Sequence, residues 1–316
     1  MARSCYKGTV QERVKHVVRR IVGLALAVSS RLFPLMARRQ IVAWLGRNQV
    51  PYGDWLSIEL LRDFADRDPA ACHRFLWAHH LAYAQTYSVE QRFGPERVNQ
   101  SRHLLFDELH RFLVAHGIRP ERDVDSVLEV GCSLGYLLRH LELGLFRSAR
   151  TLEGIDIDRR AIEQGSQHLQ SIGSRVRLSV ADMSELDEVL RGRTVDVILC
   201  AGVLLYLPEE GAREVVRSLL RHTRVVAVFS GLAHPVQDNS TLASSTIRRR
   251  DATFIHDIDG MVRDAGGQVA WRRWDGPRVI EGNTIYFVFA SPGISGLTAR
   301  DGSPARQAGR SAPTAG

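Results

Sequence analysis

The chain has 316 residues, 44% of them hydrophobic and 24% charged, so it can bury one large core or two modest ones. Its formal net charge is +7, but residues 1–50 alone carry ten Lys or Arg against one acid, and the other 266 residues sum to −2. The main body is therefore not basic, which makes a nucleic-acid partner an unfavoured interpretation.

The cysteines and apolar runs exclude further classes of protein. Cys5, Cys72, Cys132 and Cys200 are scattered without C-x-x-C pairing or a histidine at ligand spacing, so we expect neither a disulfide framework nor a metal site, as in a reducing cytoplasm. The longest apolar run, residues 21–30, is half the length that a membrane-spanning helix needs. A secretory signal is also disfavoured, because the polar region before this run is too long.

The first 122 residues read as helical. Residues 9–46 place apolar side chains on one helical face and arginines on the other, which fits either peripheral contact with an anionic membrane or docking on the protein's own domain. In residues 51–122 we expect helices capped by Asp54 and opened by Pro69 and Pro95. Tyr83 and Tyr87 are spaced i, i+4 and are predicted to share a helical face.

From residue 123 short β-rich runs alternate with helical segments. We predict strands at 126–130, 150–156, 175–180, 195–200, 224–230, 268–274 and 284–290. We predict helices at 135–143, 159–172, 184–191, 208–222 and 252–265. Such alternation with short loops is typical of an α/β fold with a doubly wound sheet. The tail, residues 293–316, is rich in Gly, Ala, Ser and Pro and is predicted to be disordered.

The segment "GCSLG", residues 131–135, follows the first predicted strand, where an open α/β sheet binds its ligand. A phosphate-binding P-loop needs Lys after its last glycine, but Tyr136 follows Gly135. The dinucleotide pattern G-x-G-x-x-G needs glycine where this chain has Ser133 and Tyr136. Neither of these two nucleotide sites is therefore indicated.

The segment resembles the first motif of class I S-adenosylmethionine-dependent methyltransferases, an acidic residue followed by G-x-G-x-G, with Ser133 in place of the middle glycine. The resemblance covers residues 123–292. It implies a doubly wound, seven-stranded Rossmann-like sheet whose last strand is antiparallel, with an N-terminal helical extension. We expect residues 1–50 to form a basic amphipathic helical segment and residues 51–122 a helical lid or extension.

The resemblance also implies a cofactor site for S-adenosylmethionine. Asp156, at the end of the second predicted strand, would accept from the ribose hydroxyls, and Asp182 would bind the adenine amine beside Met183. Asp158 is better explained as the cap of the next helix. The full set of predicted cofactor-binding residues is Glu129, Gly131, Cys132, Ser133, Gly135, Asp156, Ile157, Asp182, Met183 and Cys200.

The acceptor is expected to be a small or lipophilic molecule methylated by direct in-line transfer. "CAGV" stands at 200–203, where methyltransferases of exocyclic nitrogens carry a different motif. Tyr206 and His234 are candidates for orienting the acceptor, beside the arginines at 248–250. Tyr206 fits a packing role equally well, and Tyr83 and Tyr87 are either lid residues or core. The alternatives are a non-catalytic binding or scaffold protein and, third, a nucleic-acid methyltransferase.

Overall fold

The computed structural model describes residues 35–48, 53–94, 98–248, 251–280 and 283–292. The predictions for residues 1–34 and for the tail at 293–316 lie outside these ranges. The strands within them are β1 (Ser126–Val130), β2 (Thr151–Asp156), β3 (Arg177–Val180), β4 (Val195–Ala201), β5 (Thr223–Gly231), β6 (Thr246–Arg248), β7 (Thr253–Ile255), β8 (Gly267–Ile280) and β9 (Asn283–Pro292).

Seven of these strands form one sheet in the order β3-β2-β1-β4-β5-β9-β8. The first five are parallel, and β9 lies antiparallel between β5 and β8. The predicted seven-stranded sheet with an antiparallel last strand is confirmed. Its strand order reverses between β1 and β4, so the carboxyl ends of these two strands border the crevice where ligands bind in such sheets.

The helices are α1 (Leu35–Arg47), α2 (Gly53–Leu60), α3 (Arg62–Arg67), α4 (Pro69–Ala78), α5 (Val89–Arg92), α6 (Gln100–Ala115), α7 (Pro120–Asp123), α8 (Tyr136–Leu143), α9 (Arg159–Ser171), α10 (Leu186–Leu190), α11 (Glu209–His222) and α12 (Ile258–Asp264). Short 3₁₀ turns follow at Ala82–Thr86, Met183–Glu185, Leu204–Tyr206 and Asn239–Thr241.

The sheet is covered by helices on both faces. Side chains of a strand point alternately to opposite faces, so Val127 packs with α6, α8 and α9, while its neighbour Leu128 packs with α10, α11 and α12. Both side chains are about 1% exposed. Burying each such aliphatic side chain contributes about 1.5–3 kcal/mol, so these two layers account for the main core.

Helices α1 to α4 enclose a separate, smaller cluster of buried side chains, here called the N-terminal core. Its members are Val42, Leu45, Leu60, Leu61, Ala65, Cys72, Leu76, Leu81 and Ala252. Ala252 comes from the turn of the β6–β7 hairpin, and its carbonyl accepts a hydrogen bond from His73 Nε2 at 3.2 Å. The N-terminal core therefore rests on a hairpin that belongs to the sheet domain.

Three predicted helices have different bounds in the structure. The helix opened by Pro69 ends at Ala78, because His80 takes a left-handed φ of 50° and Leu81 is extended. The helix expected after Asp54 already includes this residue and breaks at Leu61.

The third difference lies between residues 252 and 265. Thr253–Ile255 are extended and pair with β6, and α12 starts only after Asp257, whose carboxylate accepts from Gly260 N at 2.8 Å. The β-branched and aromatic side chains of β7 favour this strand over the predicted helical turn.

Candidate functional site

The bend after β1 depends on backbone conformations that side chains disfavour. Gly131 and Gly135 both have φ of 75°, and a Cβ on Gly131 would lie 2.3 Å from the Val203 side chain. Ser133, the residue that replaces the middle glycine of the motif, also takes a left-handed φ of 49°. The bend therefore keeps the glycine-type geometry at a position that carries a side chain.

Asp156, at the end of β2, shapes this bend directly. Its Oδ2 accepts from Ser133 N at 2.8 Å, and its Oδ1 accepts from Asp158 N at 2.9 Å. The residue is 9% exposed, and burial raises the pKa of its carboxyl above the usual value. The carboxylate expected at a ribose thus also holds the loop that surrounds it.

Asp158 has the role predicted for it and a second one. Its Oδ1 accepts from Ala161 N at 3.0 Å, which caps α9. Its Oδ2 lies 2.6 Å from Nδ1 of His80, in the turn after α4. This buried contact joins the N-terminal region to the strand ends.

The two carboxylate oxygens of Asp182, which follows β3, have different partners. Oδ1 accepts from the backbone N of Ser184 at 2.8 Å and from its hydroxyl at 2.7 Å. Oδ2 lies 2.5 Å from Nη1 of Arg74 on α4. The oxygen that the resemblance assigns to an adenine amine is therefore occupied by an arginine in this structure.

Glu129 and Arg102 place an acidic and a basic side chain at the carboxyl ends of β1 and β4. Glu129 is 3% exposed, burial raises its pKa to about 8, and its Oε2 has no hydrogen-bond partner among the described residues. Arg102 donates to the Ala201 carbonyl at 2.8 Å and to the Ser230 hydroxyl at 3.0 Å. Gly202, with φ of 77°, leaves room for this guanidinium, since a Cβ there would lie 2.8 Å from it.

One cavity of about 480 Å³ is bordered by the bend at Gly131 and Ser133 and by the side chains of Asp156, Asp182, Arg74, Glu129 and Arg102. The predicted site residues that line it are Glu129, Gly131, Cys132, Ser133, Asp156, Ile157, Asp182, Met183, Tyr87 and Tyr206. Of Tyr83 the structure describes the backbone alone.

Three predicted site residues do not line the cavity. Gly135 packs against Leu178 and Leu169. Cys200 lies inside the sheet opposite Val130 and Phe229, where burial raises the pKa of its thiol to about 12. His234 Nδ1 accepts from the backbone of its own loop, at Val236 and Gln237.

Residues 127–225 match the family model described as "Methyltransferase domain". This part of the chain, from β1 into β5, is a methyltransferase domain.

Solved structures share its fold at low identity. Magnesium protoporphyrin IX methyltransferase from Synechocystis PCC 6803, with bound SAH, is 18% identical over 71% of this chain and 99% of that one, with a TM-score of 0.50. 1,6-didemethyltoxoflavin-N1-methyltransferase from Burkholderia thailandensis is 16% identical over 71% and 88%, with a TM-score of 0.48. No curated protein matches the chain.

Four aromatic side chains that line the cavity form an aromatic wall: Trp77, Tyr87, Tyr136 and Tyr206. The Trp77 ring lies 5.7 Å from Tyr87 and 5.6 Å from Tyr206, both edge-on. Burial raises the pKa of Tyr136 to about 12 and that of Tyr206 further, so both phenols are neutral. This part of the cavity is lined by aromatic rings and neutral phenols, and the Arg92 guanidinium lies 4.1 Å from the centre of the Tyr87 ring.

The sequence did not predict three residues of this cavity: Arg74, Trp77 and Arg102. Each is carried by a helix of the N-terminal region, and their place at the cavity depends on how that helix packs across the strand ends. A local signal existed for Arg102, because Asn99 caps α6 through Arg102 N and fixes where the helix begins.

The described residues form neither a metal site nor a membrane-spanning helix. No group of three or more His, Cys, Asp or Glu among them is arranged to hold a metal ion. Within the same ranges, none of the helices has both the length and the apolar character needed to cross a bilayer.

Proposed function

We propose that this protein transfers a methyl group from S-adenosylmethionine to a small, lipophilic acceptor. The observation that carries the proposal is one cavity in which the glycine bend, Glu129, Asp156 and Asp182 face an aromatic wall. A binding protein that is not an enzyme would use the glycine bend and the three acidic residues, and it has no need for the aromatic wall.

The residues present fit the cofactor by their chemistry. Glu129 supplies a buried oxygen without a partner, and Arg102 supplies a fixed cation, so the pair suits the ammonium and carboxylate of the methionine portion. Asp156 suits ribose hydroxyls, and Met183 and Ile157 provide apolar contact for a base. When bound, S-adenosylmethionine supplies a methyl group already activated by the positive charge on sulfur.

The protein's own contribution is positioning and exclusion of water. Trp77 and Tyr206 form an apolar surface against which a lipophilic acceptor packs, and the neutral phenols of Tyr136 and Tyr206 donate hydrogen bonds that orient it. Positioning alone can contribute about 7–11 kcal/mol to such a displacement. The chain therefore needs no nucleophile of its own.

Titration calorimetry with S-adenosylhomocysteine tests the cofactor site. Arg102→Gln should weaken binding by about ten- to a hundredfold, because a charge-assisted hydrogen bond inside a cavity contributes about 1.5–3 kcal/mol. Arg111→Gln is the matched control: this side chain is on the same helix, is 63% exposed and pairs with Glu108 outside the cavity. Equal affinities for all three proteins would contradict the proposed site.

Methyl transfer separates the enzyme from the scaffold and nucleic-acid alternatives. Labelled S-adenosylmethionine is incubated with fractionated extract of the source organism, and label is expected in the lipophilic small-molecule fraction. Tight cofactor binding without transfer to any fraction would favour the non-catalytic protein, and label in nucleic acid would favour the third alternative.

We also propose that residues 9–46 bring the protein into peripheral contact with an anionic membrane on its cytoplasmic side. Residues 1–50 hold ten basic residues against one acid, while the rest of the chain is net negative. In the described part of this segment, α1 exposes Ile41 and Trp44 three positions apart, at 39% and 54%. A basic segment beside exposed Trp and Ile is suited to a lipid interface.

Co-sedimentation with phosphatidylcholine vesicles, with and without about 30% phosphatidylglycerol, tests this contact. Arg19→Gln with Arg20→Gln should reduce binding to the anionic vesicles roughly tenfold. Arg159→Gln with Arg160→Gln makes the same charge change at two exposed positions of the sheet domain and should have little effect. Equal losses in both double variants would indicate non-specific attraction and contradict the proposal.

A further inference from the structure

Helix α4 places an arginine on the oxygen that an adenine amine is expected to use. Nη1 of Arg74 lies 2.5 Å from Oδ2 of Asp182, and both residues line the cavity. The other oxygen of Asp182 already accepts two hydrogen bonds from Ser184. Oδ2 is thus the oxygen of Asp182 that is left to accept a hydrogen bond from a ligand in the cavity, and Arg74 contacts this oxygen.

We propose that Arg74 binds Oδ2 of Asp182 as long as no cofactor is bound, and that the adenine amine replaces it when the cofactor enters. Arg74 thus closes the adenine end of the cavity until the cofactor binds. This inference rests on the proposed cofactor. It assigns Arg74 a role in setting cofactor affinity and in excluding ligands that cannot replace it on Asp182.

The helix itself stays in place during this exchange. Asp68 caps α4 through Ala71 N at 2.9 Å, Cys72 and Leu76 are buried in the N-terminal core, and His73 is bonded to Ala252. The Arg74 side chain, by contrast, is 62% exposed. Rotation of this one side chain into solvent uncovers Oδ2, whereas moving the helix would disrupt the N-terminal core.

The exchange has a modest energetic cost. An ion pair with one exposed partner contributes little in water, because solvent screens the charges and the long side chain loses conformational freedom. The adenine amine is a neutral donor, so it replaces a charged one on the same oxygen. We therefore expect Arg74 to weaken cofactor binding by a factor of roughly two to five.

Titration calorimetry with S-adenosylhomocysteine tests the exchange on the full chain. Arg74→Gln should bind about two to five times more tightly than the unmodified protein. Arg67→Gln is the matched control, because Arg67 pairs with Asp63 at 3.4 Å, is 75% exposed and lies on the preceding helix α3, away from the cavity. The control should leave the affinity unchanged.

Salt provides a second readout that a purely structural role would not change. Raising the ionic strength from about 0.1 to about 0.5 M screens the Arg74–Asp182 pair, so affinity of the unmodified protein should rise towards that of Arg74→Gln. Arg74→Gln itself should show a smaller salt effect. In the background of Asp182→Asn the Arg74 substitution should have no effect on affinity, because the shared oxygen is no longer charged.

Two results would overturn the inference. Weaker binding by Arg74→Gln would mean that Arg74 contacts the cofactor instead of competing with it, and an unchanged affinity with unchanged salt dependence would mean that the pair has no part in binding. If neither protein binds S-adenosylhomocysteine, the proposed cofactor itself is wrong, and this outcome is distinct from the first two.

Discussion

Ser133 is strained by the backbone conformation that its loop requires. A φ of 49° is left-handed, which costs a residue with a side chain about 1–2 kcal/mol relative to glycine. Its hydroxyl oxygen is buried and has no hydrogen-bond partner among the described residues. Two unfavourable features therefore meet at the position where the methyltransferase motif has glycine.

Ser133→Gly should stabilise the folded protein by about 1 kcal/mol, since the relief of strain exceeds the extra chain entropy that glycine loses on folding. The free energy of unfolding in urea measures this change. Ser244→Gly is the control, because Ser244 is exposed and is not among the residues with positive φ. A loss of stability in both variants would show that the Ser133 backbone is not strained.

Glu129 makes the free energy of unfolding depend on pH, in a direction that its raised pKa defines. Burial raises its pKa from the ordinary 4.5 to about 8, with Arg102 opposing and Asp156 adding to the shift. Between these values the native protein holds a proton that the unfolded chain has lost. The free energy of unfolding contributed by this group therefore falls as pH rises from 4.5 towards 8 and is constant above.

Glu129→Gln should remove this decrease in the free energy of unfolding, because glutamine stays neutral at every pH. The stability difference between the variant and the unmodified protein should grow between pH 6 and pH 8, by at most about 1.4 kcal/mol per pH unit. Urea unfolding at each pH measures it. Asp123→Asn is the control. Arg119 lowers the pKa of Asp123 to about 2, so this carboxyl group stays ionised throughout the range. Parallel curves for Glu129→Gln and the unmodified protein would contradict the assignment.

At the scale of elements, the N-terminal helices are connected to the strand ends through few contacts. The turn after α4 is fixed by the 2.6 Å contact between His80 and Asp158, and the same carboxylate caps α9. Asp158 thus links the turn after α4 to the start of α9.

Asp158→Ser separates these two roles. Serine still caps a helix, but it is too short and uncharged to hold His80, so residues 79–87 should exchange their amide hydrogens faster while α9 is unchanged. Asp158→Ala should in addition cost about 1 kcal/mol through loss of the cap. Asp257→Ser, at the cap of α12, should leave residues 79–87 unaffected. Unchanged exchange in Asp158→Ser would mean that the contact does not hold the turn.

The sequence predicted those elements whose causes are local. The alternation of strands and helices after residue 123 predicted the sheet. The family resemblance pointed to Asp156 and Asp182, and the structure places both at the cavity, beside strand ends. The end of α4 at Ala78 was not predictable, because Leu81 turns back to complete the N-terminal core. Arg74, Trp77 and Arg102 were missed for the same reason, since they reach the cavity through tertiary packing.

At the scale of the whole molecule, two cores support one cavity. The main core lies around the sheet, and the N-terminal core lies around α1 to α4. Leu76 and Leu199 are nearly fully buried, one in each. The two sets of side chains meet through the β6–β7 hairpin, at Ala252.

Leu76→Ala should loosen the N-terminal core without opening the sheet. Each Leu→Ala change in a core costs about 2–5 kcal/mol. Amide exchange should therefore quicken in residues 53–94 for Leu76→Ala, whereas Leu199→Ala should quicken it in β1 and β4 as well as in residues 53–94, since the helices rest on the sheet. Equal acceleration of the sheet strands by both variants would show that the molecule has a single cooperative core.

Asp156 uses both carboxylate oxygens to hold backbone amides of the bend and of the chain beyond β2. In the proposed site, the same two oxygens therefore serve both the ribose and the loop that surrounds it. A descendant of this chain that abandoned catalysis could not discard Asp156 without also losing the loop's shape, so retention of this aspartate is no proof of retained chemistry. The aromatic residues opposite it also pack against one another and against His73, so their retention is no proof either.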